Sequence, residues 1–201
     1  MTTAHLQSLL ARLDDIHPHS TGPCAGEFTM DSGNFTMHYV CYFIKQENRR
    51  NGINKLVLKN QQIKDINDLE FLTSTLSELD ELRDLDLAGS TLFTPFVRRD
   101  STQDRERSAR QKLLNFFADS RLKTLNLQET KMTDADALAV VVAIRDNTFL
   151  ETLDISYNGD YTIKTNNTEL PCLEDATLIK NLWCMRHEPQ NLIVSETQRY
   201  R

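Results

Sequence analysis

The chain is poor in the residues and motifs that enzymes commonly use to bind nucleotides or to hydrolyse their substrates. Its 201 residues include only six glycines, which leaves little material for a phosphate-binding loop. The sequence contains no G-x-x-x-x-G-K, G-x-G-x-x-G, G-x-S-x-G or H-E-x-x-H motif. With no positive sign of catalysis, we expect a protein that is not an enzyme, with no catalytic residues and no cofactor.

Paired cysteines and metal-ligand spacings are also missing. The four cysteines are Cys24, Cys41, Cys172 and Cys184, and no two of them form a C-x-x-C pair. This usage indicates reduced thiols in a cytosol, and the nearby histidines complete no set of four zinc ligands. The stretch Asp154–Asp160 is similar to the start of a calcium-binding loop, but Thr165 stands where a bidentate Glu is required. We therefore predict no metal site.

Long apolar runs and excess positive charge are absent as well. No run approaches the roughly 20 apolar residues that span a bilayer, and the N-terminus lacks the pattern of a secretory signal. The net charge is −6, which disfavours binding to nucleic acid or to an anionic membrane. With 39% hydrophobic and 26% charged residues, we expect one folded, monomeric, cytoplasmic domain.

What the sequence does contain is a repeated pattern of leucines. The stretch Leu150–Asn158 reads L-x-x-L-x-L-x-x-N, and three similar copies precede it. In each copy positions 1, 4 and 6 are apolar and position 9 is polar: Ile53, Leu56, Leu58, Gln61; Leu82, Leu85, Leu87, Ser90; Leu122, Leu125, Leu127, Thr130; Leu150, Leu153, Ile155, Asn158. Positions 4 and 6 lie on one face of a strand, so each copy predicts a strand with one buried face.

The distances between the copies leave room for a helix after each strand. The copies start at 53, 82, 122 and 150, which are 29, 40 and 28 residues apart. Apolar spacing predicts helices at about 65–80, 103–118 and 134–146. The second buries Leu113, Leu114, Phe116 and Phe117. The third buries Ala137, Leu138, Val141, Val142 and Ile144, and Thr133 is its predicted N-cap.

The stretch Met132–Asn158 resembles a repeat of the ribonuclease-inhibitor-like subfamily of leucine-rich repeats, to which the repeats of NOD-like receptors also belong. The resemblance covers residues 53–160, about half of the chain. It implies an α/β fold, a short leucine-rich-repeat solenoid with a parallel sheet on its concave side and helices on its convex side. The stack curves because strands lie ~4.8 Å apart and packed helices ~8–10 Å apart.

The two ends are predicted to be atypical caps of the single domain, because stacked repeats need their terminal apolar faces covered. We predict an N-terminal cap over 1–52, with a helix at about 3–16 and a β-hairpin formed by Glu27–Met30 and Phe35–Ile44. The polar stretch Glu47–Gly52 is predicted to be a loop.

The four repeats, residues 53–160, are followed by a predicted C-terminal cap over 161–201. It contains a helix over Leu173–Met185 and a last, degenerate strand over Leu192–Val194.

The 40-residue second repeat carries about eleven extra residues within Phe93–Gln111. This segment is locally basic in an acidic protein, through Arg98, Arg99, Arg105, Arg107 and Arg110. One interpretation is a projecting loop that contacts a partner through Arg98 and Arg99. The other is a solvated insertion of no consequence.

Positions 3, 5, 7 and 8 of each repeat are predicted to face or border the concave side. The predicted partner-binding residues among them are Lys55, Val57, Lys59, Asp84, Asp86, Asn126, Gln128, Glu129, Asp154, Ser156 and Tyr157. The face begins basic and becomes acidic, and its side chains are expected to be dispensable for folding. It suits docking of a protein with basic and apolar elements, with Tyr157 as an anchor. The alternative is an ordinary hydrated sheet surface.

The predicted function is that of a non-enzymatic protein–protein interaction module with another protein as its partner. The resemblance to ribonuclease inhibitor implies inhibition of an enzyme by covering its active site. Small freestanding arrays also occur as bacterial effectors delivered into a host cytosol, and this chain is similar to them in size and irregularity. Two alternatives stay open, an adaptor that recruits without inhibiting and an enzyme whose activity lies in the non-repeat ends.

Overall fold

The computed structural model describes residues 26–30, 35–94, 103–158 and 192–193. Strands and helices alternate along most of this part of the chain. In chain order its elements are β1 (Glu27–Met30), α1 (Met37–Asn51), β2 (Lys55–Leu58), α2 (Ile66–Leu76), β3 (Asp84–Asp86), α3 (Gln103–Asp119), β4 (Thr124–Asn126), α4 (Asp134–Ile144), β5 (Thr152–Asp154) and β6 (Leu192–Ile193).

All the described strands belong to one parallel sheet, and each strand pairs with the next strand in the sequence. In the register, Leu56 lies beside Leu85, Leu85 beside Leu125, and Leu125 beside Leu153. These are the position-4 leucines of the four copies. The prediction that the copies form adjacent parallel strands is therefore confirmed.

The core lies between the sheet and the helices. The position-4 leucines are at most 1% exposed, and position 6 is buried in every copy. Each helix packs against the helix of the neighbouring unit. The helices contribute these buried apolar side chains: Met37, Val40, Cys41, Ile44, Ile66, Leu69, Leu72, Leu76, Ala109, Leu113, Phe117, Ala137, Val140, Val141 and Ile144. The described part of the chain is thus an α/β structure with two layers.

The predicted N-terminal hairpin is wrong. Glu27–Met30 is a strand, but it pairs in parallel with β2, and Phe35–Ile44 lies largely in helix α1. The helix also takes in most of Glu47–Gly52, which was predicted to be a loop. The segment is rich in β-formers, but Met37, Val40, Cys41 and Ile44 follow helical spacing and are buried. Burial of that one face overrides the local β preference.

The strand and helix before residue 53 form a further βα unit, which precedes the four copies. Phe28 pairs with Leu56 and Met30 with Leu58, an offset of 28 residues. Phe35, 28 residues before Ile63, is partly buried against the same core. The unit carries apolar residues at positions 4 and 6, and also at position 11, which is Ile63, Leu92 and Met132 in the first three copies.

The helices predicted after the strands are confirmed as α2, α3 and α4. The Thr133 hydroxyl accepts a hydrogen bond from the Asp136 amide at 3.2 Å, and the Asp136 carboxylate accepts one from the Thr133 amide at 3.0 Å. This is a capping box, so the predicted N-cap is confirmed. Val142 was predicted to be buried but is 50% exposed, because Val140 occupies the inward position instead.

The predicted helices at 3–16 and Leu173–Met185 lie outside the described residues. Strand β6 falls within the predicted last strand and pairs in parallel with β5. No helix in the described ranges is long and apolar enough to cross a membrane.

Candidate functional site

One face of the sheet is covered by helices and the other carries none of the described helices. The open face, as we define it, consists of the outward-pointing side chains of β1–β5: Glu27, Thr29, Lys55, Val57, Asp84, Asp86, Thr124, Asn126, Thr152 and Asp154. All ten are exposed or half-exposed, and they alternate with the buried leucines. The strand order places them side by side, as predicted.

The rim, as we define it, is formed by residues that follow the strands at their carboxyl ends: Lys59, Asn60, Ala88, Gly89, Gln128, Glu129 and Tyr157. Each is exposed or half-exposed. The structure therefore brings together ten of the predicted partner-binding residues on the open face and rim. Ser156 is the exception: it is only 3% exposed, so its side chain is not available to a partner, and that part of the prediction is wrong.

The basic end of the open face is internally neutralised. Lys55 Nζ lies 2.8 Å from Glu27 Oε1, and Lys59 Nζ lies 3.3 Å from Asp86 Oδ2. Exposed pairs of this kind stabilise a fold by at most about 1 kcal/mol. Their main consequence is that neither lysine presents an uncompensated positive charge to a partner.

The other end of the face keeps its negative charge. Asp84 accepts a hydrogen bond from the Thr124 hydroxyl and has no cationic partner among the described residues. Asp154 and Glu129 form no ion pair within the described ranges either. Counting face and rim together, two lysines stand against five carboxylates, so the surface carries a surplus of three negative charges at β3–β5.

Three face side chains also help to end their strands. The Oδ1 atoms of Asp86, Asn126 and Asp154 accept hydrogen bonds from the backbone amides two residues later, at 3.0, 3.0 and 2.9 Å. Such bonds turn the chain out of the extended conformation. These three side chains therefore take part in local structure, whereas Val57 at the same position of the first copy has no oxygen to do so. Asn126 forms the bond with an amide oxygen and no charge.

Rim position 8 has a left-handed backbone in all four repeats. The φ angles are 57° at Asn60, 72° at Gly89, 55° at Glu129 and 56° at Tyr157. Asn and Gly adopt this conformation readily, whereas Glu and Tyr do so at a cost. The last two repeats therefore hold large side chains on a strained backbone.

Beneath the rim, the polar position 9 joins consecutive units. Each of three side chains donates a hydrogen bond to the position-6 carbonyl of the preceding unit: Gln61 to Met30 at 3.2 Å, Ser90 to Leu58 at 2.9 Å and Asn158 to Leu127 at 2.7 Å. Thr130 donates to its own position-6 carbonyl instead. Position 9 thus fixes how neighbouring strands are aligned along their axes, and this alignment sets the geometry of the open face.

The arginines of the insertion divide into two groups. Arg98 and Arg99, predicted to bind a partner, lie outside the described residues. Arg105 is on the helical side, where its Nη2 donates to Glu70 Oε2 at 2.5 Å. This bond lowers the pKa of Glu70 and raises that of Arg105.

Arg110 joins three parts of the helical side. It lies 3.0 Å from Glu106 and 3.4 Å from Asp136, and it donates to the Phe93 carbonyl at 3.1 Å. It thus links α3 to α4 and to the residues before the insertion. Arg105 and Arg110 are engaged within the fold.

Three further features lie away from the open face and rim. Burial raises the pKa of the Cys41 thiol, which disfavours the reactive thiolate. No group of three or more His, Cys, Asp or Glu in the described ranges is placed to hold a metal ion. An open groove of about 950 Å³ lies between α2 and α3, with Leu79 and Phe116 among its lining residues.

No protein-family model matches the chain, and no curated protein matches it. The functional interpretation therefore depends on the geometry of the open face and rim.

Proposed function

We propose that the βα units are a short leucine-rich-repeat array and that the chain is a non-enzymatic protein–protein interaction module. Its partner is a protein that docks on the open face and rim. The observation that supports this most directly is the sheet itself, which is parallel throughout and has helices on one side.

A parallel sheet with a bare face is unusual. Such sheets are commonly covered on both faces, and their strands then read as continuous apolar runs. Here the strands alternate apolar and polar residues, so the outer face is suited to water or to a polar partner that binds reversibly. An extended, half-exposed surface with two lysines and five carboxylates is similar to the polar rim of a non-obligate protein interface, and its charge favours a partner of opposite charge.

The repeat architecture is supported by three features. Corresponding residues of most consecutive units are 28 or 29 positions apart, strands pair in chain order, and position 9 bonds to the preceding unit. Packed helices need more width than paired strands. That difference would curve the stack with the open face on the inner side, where it could surround part of a partner.

Inhibition of an enzyme by covering its active site is the form of this function that the resemblance to ribonuclease inhibitor favours. The proposed location is the cytoplasm, of the producing cell or of a host. An activity assay of a captured enzyme, with and without the chain, separates inhibition from recruitment, since an adaptor leaves the activity unchanged.

The test compares two variants with the same charge change. Asp86→Asn with Asp154→Asn removes two carboxylates from the open face and keeps the oxygen that accepts the turn hydrogen bond. Asp80→Asn with Asp119→Asn removes two exposed carboxylates at the groove on the helical side. The immobilised full chain is used to capture partners from a lysate.

We expect the wild type and the helical-side variant to capture the same protein, and the open-face variant to lose about tenfold in affinity for it. The melting temperatures of all three should agree within about 2 °C, since each variant keeps its buried contacts. Equal capture by the open-face variant would show that the partner does not dock there.

A further inference from the structure

We infer that Glu129 and Tyr157, the rim pair, form a recognition site for a cationic side chain, an Arg or Lys of the protein partner. This inference rests on the proposed function and names the chemistry of the partner. The rim pair combines a carboxylate and an aromatic ring, which are the two groups that attract a guanidinium or ammonium ion most strongly.

The register places the two residues side by side. Asn126 of β4 pairs with Asp154 of β5, and the rim pair follows three residues later on each strand. The Glu129 amide donates to the Ser156 carbonyl at 3.1 Å, so the alignment continues beyond the strands. The rim pair therefore occupies adjacent places at the carboxyl ends of β4 and β5.

Tyr157 differs from the other exposed aromatic side chains of the described ranges. Phe71 packs edge-on against His38 with ring centroids 5.0 Å apart, Tyr42 packs against Phe43, and Phe149 lies 5.9 Å from the Arg121 guanidinium. Tyr157 is 50% exposed and has neither a ring nor a cation beside it within those ranges. It is the exposed aromatic in the described part of the chain whose face is left for another molecule.

The charge around Tyr157 selects a cation. Its neighbour Glu129 is exposed and forms no ion pair within the described ranges, and Asp154 of the adjoining strand also lacks one. The nearest face lysines are engaged with Glu27 and Asp86 at the opposite end of the sheet. A negative potential beside an aromatic ring favours Arg above Lys, because one guanidinium can stack on the ring and donate hydrogen bonds to the carboxylate at the same time.

The backbone supports the same conclusion. The left-handed turn at position 8 is made by Asn60 and Gly89 in the first two repeats with residues suited to it. A Tyr and a Glu at this position gain nothing for the turn, which agrees with side chains kept for binding.

The experiment uses the ¹⁵N-labelled full chain and a blocked hexapeptide of alternating Arg and Ala as the probe. A hexapeptide of alternating Glu and Ala is the control ligand. We expect the Arg peptide to shift the amide resonances of the rim pair, and the Glu peptide to leave them in place. Glu129→Gln and Tyr157→Asn should each raise the dissociation constant at least fivefold, and Tyr157→Phe, which keeps the ring, should not.

Two matched controls exclude a general charge or aromatic effect. Asp146→Asn removes an exposed carboxylate after α4, and Tyr42→Asn removes an exposed tyrosine ring from α1. Both should bind the Arg peptide as the wild type does. Equal weakening by these controls, or resonance shifts confined to other acidic sites, would overturn the inference.

The outcomes also separate this inference from the proposed function. If the partner is lost by Asp86→Asn with Asp154→Asn but retained by both rim variants, the open face binds and the cation site is wrong. If the rim variants lose the Arg peptide while the open-face variant keeps its partner, the cation site stands and docking on the face fails.

Discussion

The two faces of the sheet are made by alternate residues of the same short strands, yet their sequences obey different rules. The inner face has Leu at position 4 in every strand from β2 to β5, whereas neither outer position keeps one residue type through those strands. Close packing against helices restricts the inner side chains in volume and polarity. Water imposes no such restriction, so the outer face is where residues can be chosen for a partner.

At the strand ends the backbone adds requirements of its own. Position 5 supplies an oxygen for the turn in three of the four copies, position 8 adopts a left-handed conformation in all four, and position 9 donates to the preceding unit in three. A residue supports a binding role only where the backbone requirement does not explain its type. The left-handed conformation explains Asn60 and Gly89, but it does not explain Glu129 and Tyr157.

The largest expected difference between the faces comes from truncating one residue on each. Leu125→Ala opens a cavity at a fully buried position and should lower the free energy of unfolding by about 3–4 kcal/mol. Thr152→Ala, on the outer face of the neighbouring strand, should change it by less than about 0.5 kcal/mol. Urea unfolding followed by circular dichroism measures both. Similar losses would mean that the outer face is also packed.

Asn158 tests whether position 9 belongs to the inner side. Its amide nitrogen donates to the Leu127 carbonyl at 2.7 Å and its oxygen accepts from the Met132 amide at 3.1 Å. Asn158→Ala leaves both backbone groups without this partner and should lower the free energy of unfolding by about 2 kcal/mol. Ser90→Ala is the milder comparison, expected to cost about 1 kcal/mol. A neutral Asn158→Ala in the same urea assay would contradict the linking role.

Position 8 predicts a change of opposite sign. Tyr157→Asn relieves the left-handed strain and should raise the free energy of unfolding by about 0.5–1 kcal/mol, even though it removes the proposed cation site. Gly89→Ala is the reverse control: its φ is 72° and a Cβ would meet the Asn60 side chain, so it should destabilise. If thermal unfolding shows that Tyr157→Asn destabilises the protein, the ring has a structural role.

The inner face could be predicted from the sequence because its signal is periodic. Leucines at positions 4 and 6 fix which strand residues are buried, and Thr133 followed by Asp136 predicts a helix start from local chemistry alone. The N-terminal unit was missed because Phe28 and Met30 replace leucines and the next segment is rich in β-formers. Its 28-residue offset from Leu56 and Leu58 was the available signal.

The outer face could be predicted as a set of positions but not as a surface. The sequence identifies Lys59 and Asp86 as outward-pointing residues, but their ion pair depends on side-chain conformations across two strands. The burial of Ser156 depends on how the chain turns after β5. The left-handed backbone at Tyr157 could have been predicted from the sequence, because Asn60 and Gly89 at the same position are residues that favour this conformation.

The smallest expected effect concerns charged groups on the helical side. These groups bond to one another, whereas the open face leaves carboxylates unpaired. The hydrogen bond from Arg105 lowers the pKa of Glu70, so the stabilisation it provides is present above the unfolded pKa of about 4.5. It is lost as the pH falls through the lower, folded pKa. The melting temperature of the wild type should therefore exceed that of Arg105→Gln slightly at pH 7, and the difference should vanish once the pH lies below the folded pKa of Glu70.

Arg107→Gln removes the same charge from the same helix and is the control for this measurement. Arg107 pairs with Asp104 at 3.4 Å, and both side chains are almost fully exposed. Differential scanning calorimetry at pH 7 and at low pH should show a larger, pH-dependent difference for Arg105→Gln than for Arg107→Gln. Identical behaviour of the two variants would show that the bond between α2 and α3 contributes no more than a solvated charge. The helical side would then resemble the open face in leaving its charges to the solvent, and the contrast between them would be confined to the leucines.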